Sequence, residues 1–204
     1  MAEYHWQGLY LLLFMATSYT ENRRFENIDF TEQLPAKGGY ENCTFVNCNF
    51  SAVDVGGLNF VDCEFTACNL SNCKMVKTGW RQVSFIQCKL LGLRFDTCND
   101  FLFAVSFDNC KLDFASFFKV KLKGTTFKDC SLREVDFTQA DLTSAVLGNC
   151  DLKDASFGAT NMEKADFRTA FNYSIDPAEN RLKQARFSAQ GLAGLLDRYD
   201  IIVD

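Results

Sequence analysis

The chain has 204 residues, with 26 Asp+Glu against 21 Lys+Arg, ten Cys and one His, a length that allows one domain and a cap. Its net charge of -5 argues against a general nucleic-acid or anionic-membrane binder, since both need a cationic surface. The single histidine, His5, lies near the terminus, so Ser-His-Asp, Cys-His and His-rich metal chemistry all lack their usual base or ligand.

In chain order, residues 1–22 come first. Their apolar run from Leu9 to Ala16 is too short for a membrane span and lacks the basic flank of a signal peptide. Either this segment is an N-terminal cap, or residues 1–14 precede a native start at Met15.

From Phe25 every fifth residue is large and apolar, through Phe30, Tyr40, Phe45, Phe50, Val55, Phe60, Phe65, Leu70, Met75, Trp80, Phe85, Leu90 and Phe95, with Pro35 as the one break. After a slip of two residues the row resumes as Leu102, Phe107, Leu112, Phe117, Leu122 and Phe127, and runs unbroken to Phe167. Periods of 3.6 and 2 both fail to keep every fifth residue apolar, so helix and ordinary strand templates are excluded. The chain is therefore a repeat protein. Two residues before each large position sits a small one, such as Cys48, Cys68, Ala115, Ala145 or Ala165. The slip is placed within 98–102, with Leu102 in the core row and Asp100 and Phe101 bulged outward; at least one of Phe101 and Phe103 then faces out, as do Phe114 and Phe118.

Columns taken twenty residues apart, allowing for the slip, are more uniform than neighbouring pentads. Leu70, Leu90, Leu112, Leu132 and Leu152 form one, and beside it Cys48, Cys68, Cys88, Cys110, Cys130 and Cys150 form another. Thiols stacked in parallel at a sheet spacing of about 4.8 Å miss the geometry of a disulfide and do not converge on a metal. They read as small buried hydrophobes in a reducing cytoplasm.

Beyond Phe187 the pentads give way to Ser188, a helix N-cap, followed by Leu192, Leu195, Leu196 and Tyr199 at helical spacing and by a short apolar run Ile201, Ile202 and Val203. The pattern predicts a short α-helix and strand over 188–204. They either cover the last coil or pair with a second copy.

The units Ala140-Asp141-Leu142-Thr143-Ser144, Cys150-Asp151-Leu152-Lys153-Asp154 and Ala165-Asp166-Phe167-Arg168-Thr169 resemble the pentapeptide-repeat family over roughly 23–187. The resemblance implies an all-β, right-handed quadrilateral β-helix with four pentapeptides to a coil. The long uninterrupted row and the stretch from Phe171 through Asp197 look like the quinolone-resistance (Qnr-like) branch. That likeness implies a tail-to-tail homodimer, seamed here by Leu192, Leu195, Leu196, Tyr199, Ile201 and Val203. It also implies binding to a type II topoisomerase, gyrase or topoisomerase IV, by a rod that imitates DNA and protects against fluoroquinolones.

Charge makes a test of mimicry. From Glu134 to Glu179 nine acids face three bases, a net of -6, over about 10 Å of rod, where duplex DNA carries about six charges. The candidate partner-binding residues are Glu134, Asp136, Asp141, Asp151, Asp154, Glu163 and Asp166, with Asp100, Phe101 and Phe103 at the bulge. Against mimicry, these acids fall on all four faces, and Lys119, Lys121, Lys123, Lys128 and Arg133 make a basic band upstream. No Gly-rich phosphate loop, ligand spacing or carboxylate dyad is present, so no catalytic residue, metal or cofactor is expected. A scaffold presenting a flat β surface to another protein is the alternative reading.

Overall fold

A chain that places one large side chain inward every five residues has to turn a corner in each interval. The turn is made by the second residue after each core position, which adopts left-handed φ between 50° and 63° at Asn47, Asn72, Asn109, Gln139 and Asn149, among others. Asn, Asp and Gly tolerate this region best, which accounts for the frequent Asn and Asp at that place, although Ala52, Ala67 and Phe114 adopt it as well. A hydrogen bond closes many of these corners, as in Val53 N–H to the Phe50 carbonyl (3.0 Å) and Ala145 N–H to the Leu142 carbonyl (2.9 Å).

The computed structural model describes residues 19–199 and 201. Its strands are β1 (Tyr19–Glu21), β2 (Arg24–Glu26), β3 (Gly39–Glu41), β4 (Thr44–Val46), β5 (Asn59–Val61), β6 (Glu64–Thr66), β7 (Gly79–Arg81), β8 (Val83–Ile86), β9 (Val105–Asp108), β10 (Thr126–Lys128) and β11 (Val146–Gly148). They form two all-parallel sheets, β1-β3-β5-β7 and β11-β10-β9-β8-β6-β4-β2. Single bridges twenty residues apart, such as Asn49 to Asn69 and Ser131 to Asp151, build the two remaining walls. The result is the expected quadrilateral β-solenoid. The ladder already includes β1, paired to β3, so it begins ahead of residue 23; residues 1–18 lie outside the described ones.

Equivalent side chains stack. Phe25, Phe45, Phe65, Phe85, Phe107 and Phe127 form a file with ring centroids 4.5–5.5 Å apart, and Phe95, Phe117, Phe137 and Phe157 form a second. The files meet edge to face, for instance Phe117 against Phe127 at 5.8 Å, the arrangement that aromatic quadrupoles favour. The third file, Tyr40, Phe60 and Trp80, ends at Trp80.

The small position carries more than size. Cys68 Sγ donates to the Phe45 carbonyl at 3.3 Å and Cys88 Sγ to the Phe65 carbonyl at 3.2 Å, the core residue of the coil below. Thr78 and Thr160 do the same with their hydroxyls, each at 2.8 Å. A Cys or Thr at this place thus adds a donor to its small size, while Ala115, Ala145 and Ala165 fill it by size alone. All ten cysteines are free, nine buried and Cys98 half-buried. Burial pushes the Cys63 thiol up to about 11 and those of Cys73 and Cys98 up to about 12. A redox-sensing thiol at those three positions would need the opposite. Alkylation of the folded protein by iodoacetamide is expected to modify Cys98 slowly and the others only after unfolding; rapid loss of several thiols, counted by mass spectrometry, would contradict this packing.

The C-terminal cap differs from the expected α-helix. It consists of two 3-10 turns, Gln190–Leu195 and Asp197–Tyr199. Two glycines explain the departure: Gly191 and Gly194 press on Tyr173 so closely that a Cβ at Gly194 would meet the Tyr173 carbonyl. Intervening Gly also weakens an α-helix. Among the described residues no helix is long and apolar enough to cross a membrane.

Candidate partner-binding surface

Four of the seven acids singled out in the C-terminal half have a structural use. Asp136, Asp141, Asp151 and Asp166 each precede a core residue, and each accepts the backbone N–H two residues on, from Thr138, Thr143, Lys153 and Arg168 at 2.8–3.2 Å. This closes an Asx turn at the corner, the reason the pentad favours Asp or Asn there. Three of the four are also ion-paired: Asp151 with Arg133 (2.6 Å), Asp166 with Arg168 (2.6 Å) and Asp141 with Lys123 (3.6 Å). The Arg168 guanidinium holds the Asp166 carboxyl below the usual carboxylate range. At Asp151 burial pulls the other way, but hydrogen bonds from Asn172 and Arg133 outweigh it and hold the group low.

Glu134, Asp154 and Glu163 remain. Glu134 and Asp154 occupy the same left-handed corner one coil apart and are exposed, while Glu163 is half-buried on another wall. The structure brings two of the predicted acids into one column and disperses the rest.

The slip lies elsewhere than the sequence row places it. Asn99 still bridges Gly79, and Phe103 N–H closes a corner on the Asp100 carbonyl at 3.3 Å with Leu102 at φ 56°. Asp100, not Leu102, therefore takes the register place above Trp80, and it is exposed rather than buried. Leu102 is 66% exposed, which corrects its assignment to the core. Counted along the row the two extra residues are Phe103 and Ala104; the ladder resumes at Ala104, whose N–H donates to the Trp80 carbonyl at 2.9 Å and whose carbonyl accepts Val83 N–H at 3.0 Å, ahead of Val105 opposite Val83. A carboxylate cannot be buried unpaired, so Asp100 fills no core place, and Phe103 packs against Phe95 instead, centroids 6.2 Å apart.

Ladder bonds fail on either side of this coil. No bridge pairs Lys74 with Arg94 or Asn99 with Lys121, and no backbone hydrogen bond joins 98–103 to 119–123. Two depressions open at the second break, one on each side of Phe103. The larger, of about 460 Å³, is lined by Phe95, Cys98, Asp100, Phe118 and Val120 among others; the smaller, of about 300 Å³, is lined by Ser84, Ser106, Lys121, Lys123 and Thr125 among others. Phe101 is 61% exposed, and the Arg81 guanidinium lies 5.2 Å from its ring centroid, a cation–π contact. Phe114 is also exposed but sits on the corner after Leu112 and lines neither depression. The four aromatics thus do not form one patch.

Sequence reasoning passed over Thr125, and it noted Lys121 only as part of a basic band. The signal was present. Thr125 occupies the small position of its pentad, where Cys or Thr donates to the coil below, and no such bond forms above the segment 100–104, although Cys110 keeps its bond to Phe85 across the same slip.

At the far end, the expected seam divides. Leu195 is half-buried against the core, Leu196 is half-buried, and Leu192, Tyr199 and Ile201 are exposed; Val203 lies outside the described residues.

A family model described as a pentapeptide repeat region matches residues 78–157, and one described as pentapeptide repeats (8 copies) matches residues 43–78. Together they span more than half of the chain. Among solved structures, the chain is similar to HetL, a pentapeptide repeat protein involved in heterocyst differentiation regulation from the cyanobacterium Nostoc sp. strain PCC 7120. The identity is 13%, the TM-score 0.64, and the match covers 86% of this chain and 88% of that one. It is also similar to a trypsin-treated form of QnrB1, a plasmid-mediated fluoroquinolone resistance protein, at 20% identity and TM-score 0.50, covering 91% of this chain and 98% of that one. At such identities the likeness is one of fold. No curated protein matches the chain.

Proposed function

Because the chain belongs to the pentapeptide-repeat family, a scaffold that carries no function in itself, we propose that it is a non-catalytic rod that binds a partner protein on its side wall. One observation carries this reading: at the slip, a wall that is elsewhere regular exposes Phe101 and Leu102 and opens two depressions. Exposed large apolar side chains at a break in a rigid scaffold are where a docking surface is looked for. The reduced thiol column suits a cytoplasmic setting. Photo-crosslinking tests it. With benzoylphenylalanine in place of Phe101, a discrete adduct to one protein is expected in cells, and none with the same group at Thr169 on a regular wall. Equal labelling at both positions, or none at 101, would count against a docking wall.

A second reading, protection of gyrase or topoisomerase IV from fluoroquinolones by a DNA-mimicking homodimer, draws on the exposed column of Glu134 and Asp154 and on the exposed Leu192, Tyr199 and Ile201. The ion pairs of Asp141, Asp151 and Asp166 weaken it. Its test is supercoiling by purified gyrase with ciprofloxacin, titrating the protein against Leu192→Asp/Ile201→Asp, which spares the core-packed Leu195. Rescue by the unaltered chain alone supports this reading. Absence of both rescue and inhibition rejects it for that enzyme.

A further inference from the structure

The smaller depression beside Phe103 has the composition of an anion pocket. Lys121 and Lys123 stand on its rim, Ser84, Ser106 and Gln82 line it, and no carboxylate is among its lining residues. Lys123 is held by Asp141 at 3.6 Å; among the described residues Lys121 makes no salt bridge.

A second observation concerns the donors inside the depression. Thr125 is only 7% exposed and lines the depression. Its counterparts Thr78 and Thr160, fully buried, each donate their hydroxyl to the core residue's carbonyl in the coil below, Val55 and Phe137, at 2.8 Å. Thr125 makes no such bond: the carbonyl at the equivalent place in the coil below, that of Asp100, accepts Phe103 N–H at 3.3 Å, and among the described residues the Thr125 side chain makes no hydrogen bond. Among the described residues the backbone N–H of Lys121 is likewise unpaired, since the coil below no longer offers it a carbonyl. Three donors of different kinds thus face one cavity, and an acceptor that enters it satisfies all of them.

We propose that this depression takes a Glu or Asp carboxylate from an acidic, partly apolar segment of the partner protein. The neighbouring depression, walled by Phe103, Phe118 and Val120, takes the apolar side chain next to it. Charge complementarity selects this occupant: the free charge of the smaller site is cationic, and the larger one beside it is aromatic. The proposal rests on the protein-binding reading above, and deepens it by naming what is bound.

Fluorescence anisotropy with the full chain tests it, using a short dye-labelled peptide alternating Glu and Phe and a counterpart alternating Lys and Phe. The acidic peptide is expected to bind and the basic one not. Lys121→Glu should weaken binding by about tenfold and Thr125→Val by about threefold, as for loss of a charge-assisted and a neutral hydrogen bond. Lys121→Gln, which keeps the stem and removes the charge, guards against a folding defect in the reversal variant, and Thr125→Val should leave the urea midpoint unlowered. Equal binding of both peptides, or affinity unchanged in Lys121→Glu and Lys121→Gln, would overturn the assignment. So would displacement of the acidic peptide by millimolar inorganic phosphate, which would make the pocket a site for a free small anion. A crosslink at position 101 together with indifference of the peptides to Lys121 would reject this pocket alone and leave the docking wall standing.

Discussion

Phe65→Ala is expected to destabilise the protein by about 3–5 kcal/mol, the range for truncating a fully buried Phe. Phe65 is 0% exposed and stacks on Phe45 at 4.5 Å and Phe85 at 5.2 Å. It also meets Phe50, Phe60 and Trp80 edge to face at 5.4–5.8 Å. The substitution removes a ring on which three files converge, and flanking coils held in register by ladder bonds cannot collapse into the space. In a solenoid each coil touches only its neighbours, so the loss should also divide the unfolding transition. Urea denaturation followed by circular dichroism should show a lower midpoint and a shallower slope. A loss under about 1 kcal/mol would mean that the file relaxes along its axis, contrary to the close-packed core described.

Restoring the period should act in the opposite direction. Deleting Phe103 and Ala104 while replacing Asp100 by Leu returns this coil to twenty residues, with an apolar side chain above Trp80 and Val105 in the small position. Burying one Leu contributes about 1.5–3 kcal/mol, and the closed wall would give Thr125 and Lys121 the carbonyl partners they lack. The shortened chain should therefore unfold at higher urea and lose affinity for acidic peptides. If stability rises and binding persists, the depression is not the site. If stability falls, the outward segment supports the wall rather than interrupting it. A wild-type chain that retains the less stable form fits a function for the break, since functional sites are where sequences depart from the regular pattern.

The acids show how far residue type alone carries the reading. A net of -6 between Glu134 and Glu179 is real, but charge density along a sequence does not say what each carboxylate touches. Asp136 and Asp151 are both Asp before a core residue, and the backbone N–H two residues on claims each of them. The same requirement of the corner puts Asn49 and Asn69 at equivalent places. An Asp that the pentad needs for its turn is weak evidence for a partner. Glu134 and Asp154, at corner positions where the left-handed φ and not the side chain is the constraint, are better placed to serve one.

By itself the sequence determined the solenoid, its four walls, the inward files of rings and the buried thiols. The reason is that a β-solenoid is nearly one-dimensional: each position recurs on every coil, so periodicity in sequence is periodicity in space. Where that translation breaks, the sequence lost its authority. Both Leu102 and Asp100 were possible inward residues for a row displaced by two, and the apolar one satisfied the pattern. Only the tertiary structure decided for Asp100, because the bridge from Gly79 to Asn99 keeps the older register and the corner hydrogen bond at Phe103 obeys it. The same holds at the end of the rod, where helical spacing suggested one continuous stripe and contact with Tyr173 turned the segment into 3-10 turns that divide it. Local pattern governs where neighbours repeat; at a slip or a terminus the contacts are unique, and only the folded chain selects among them.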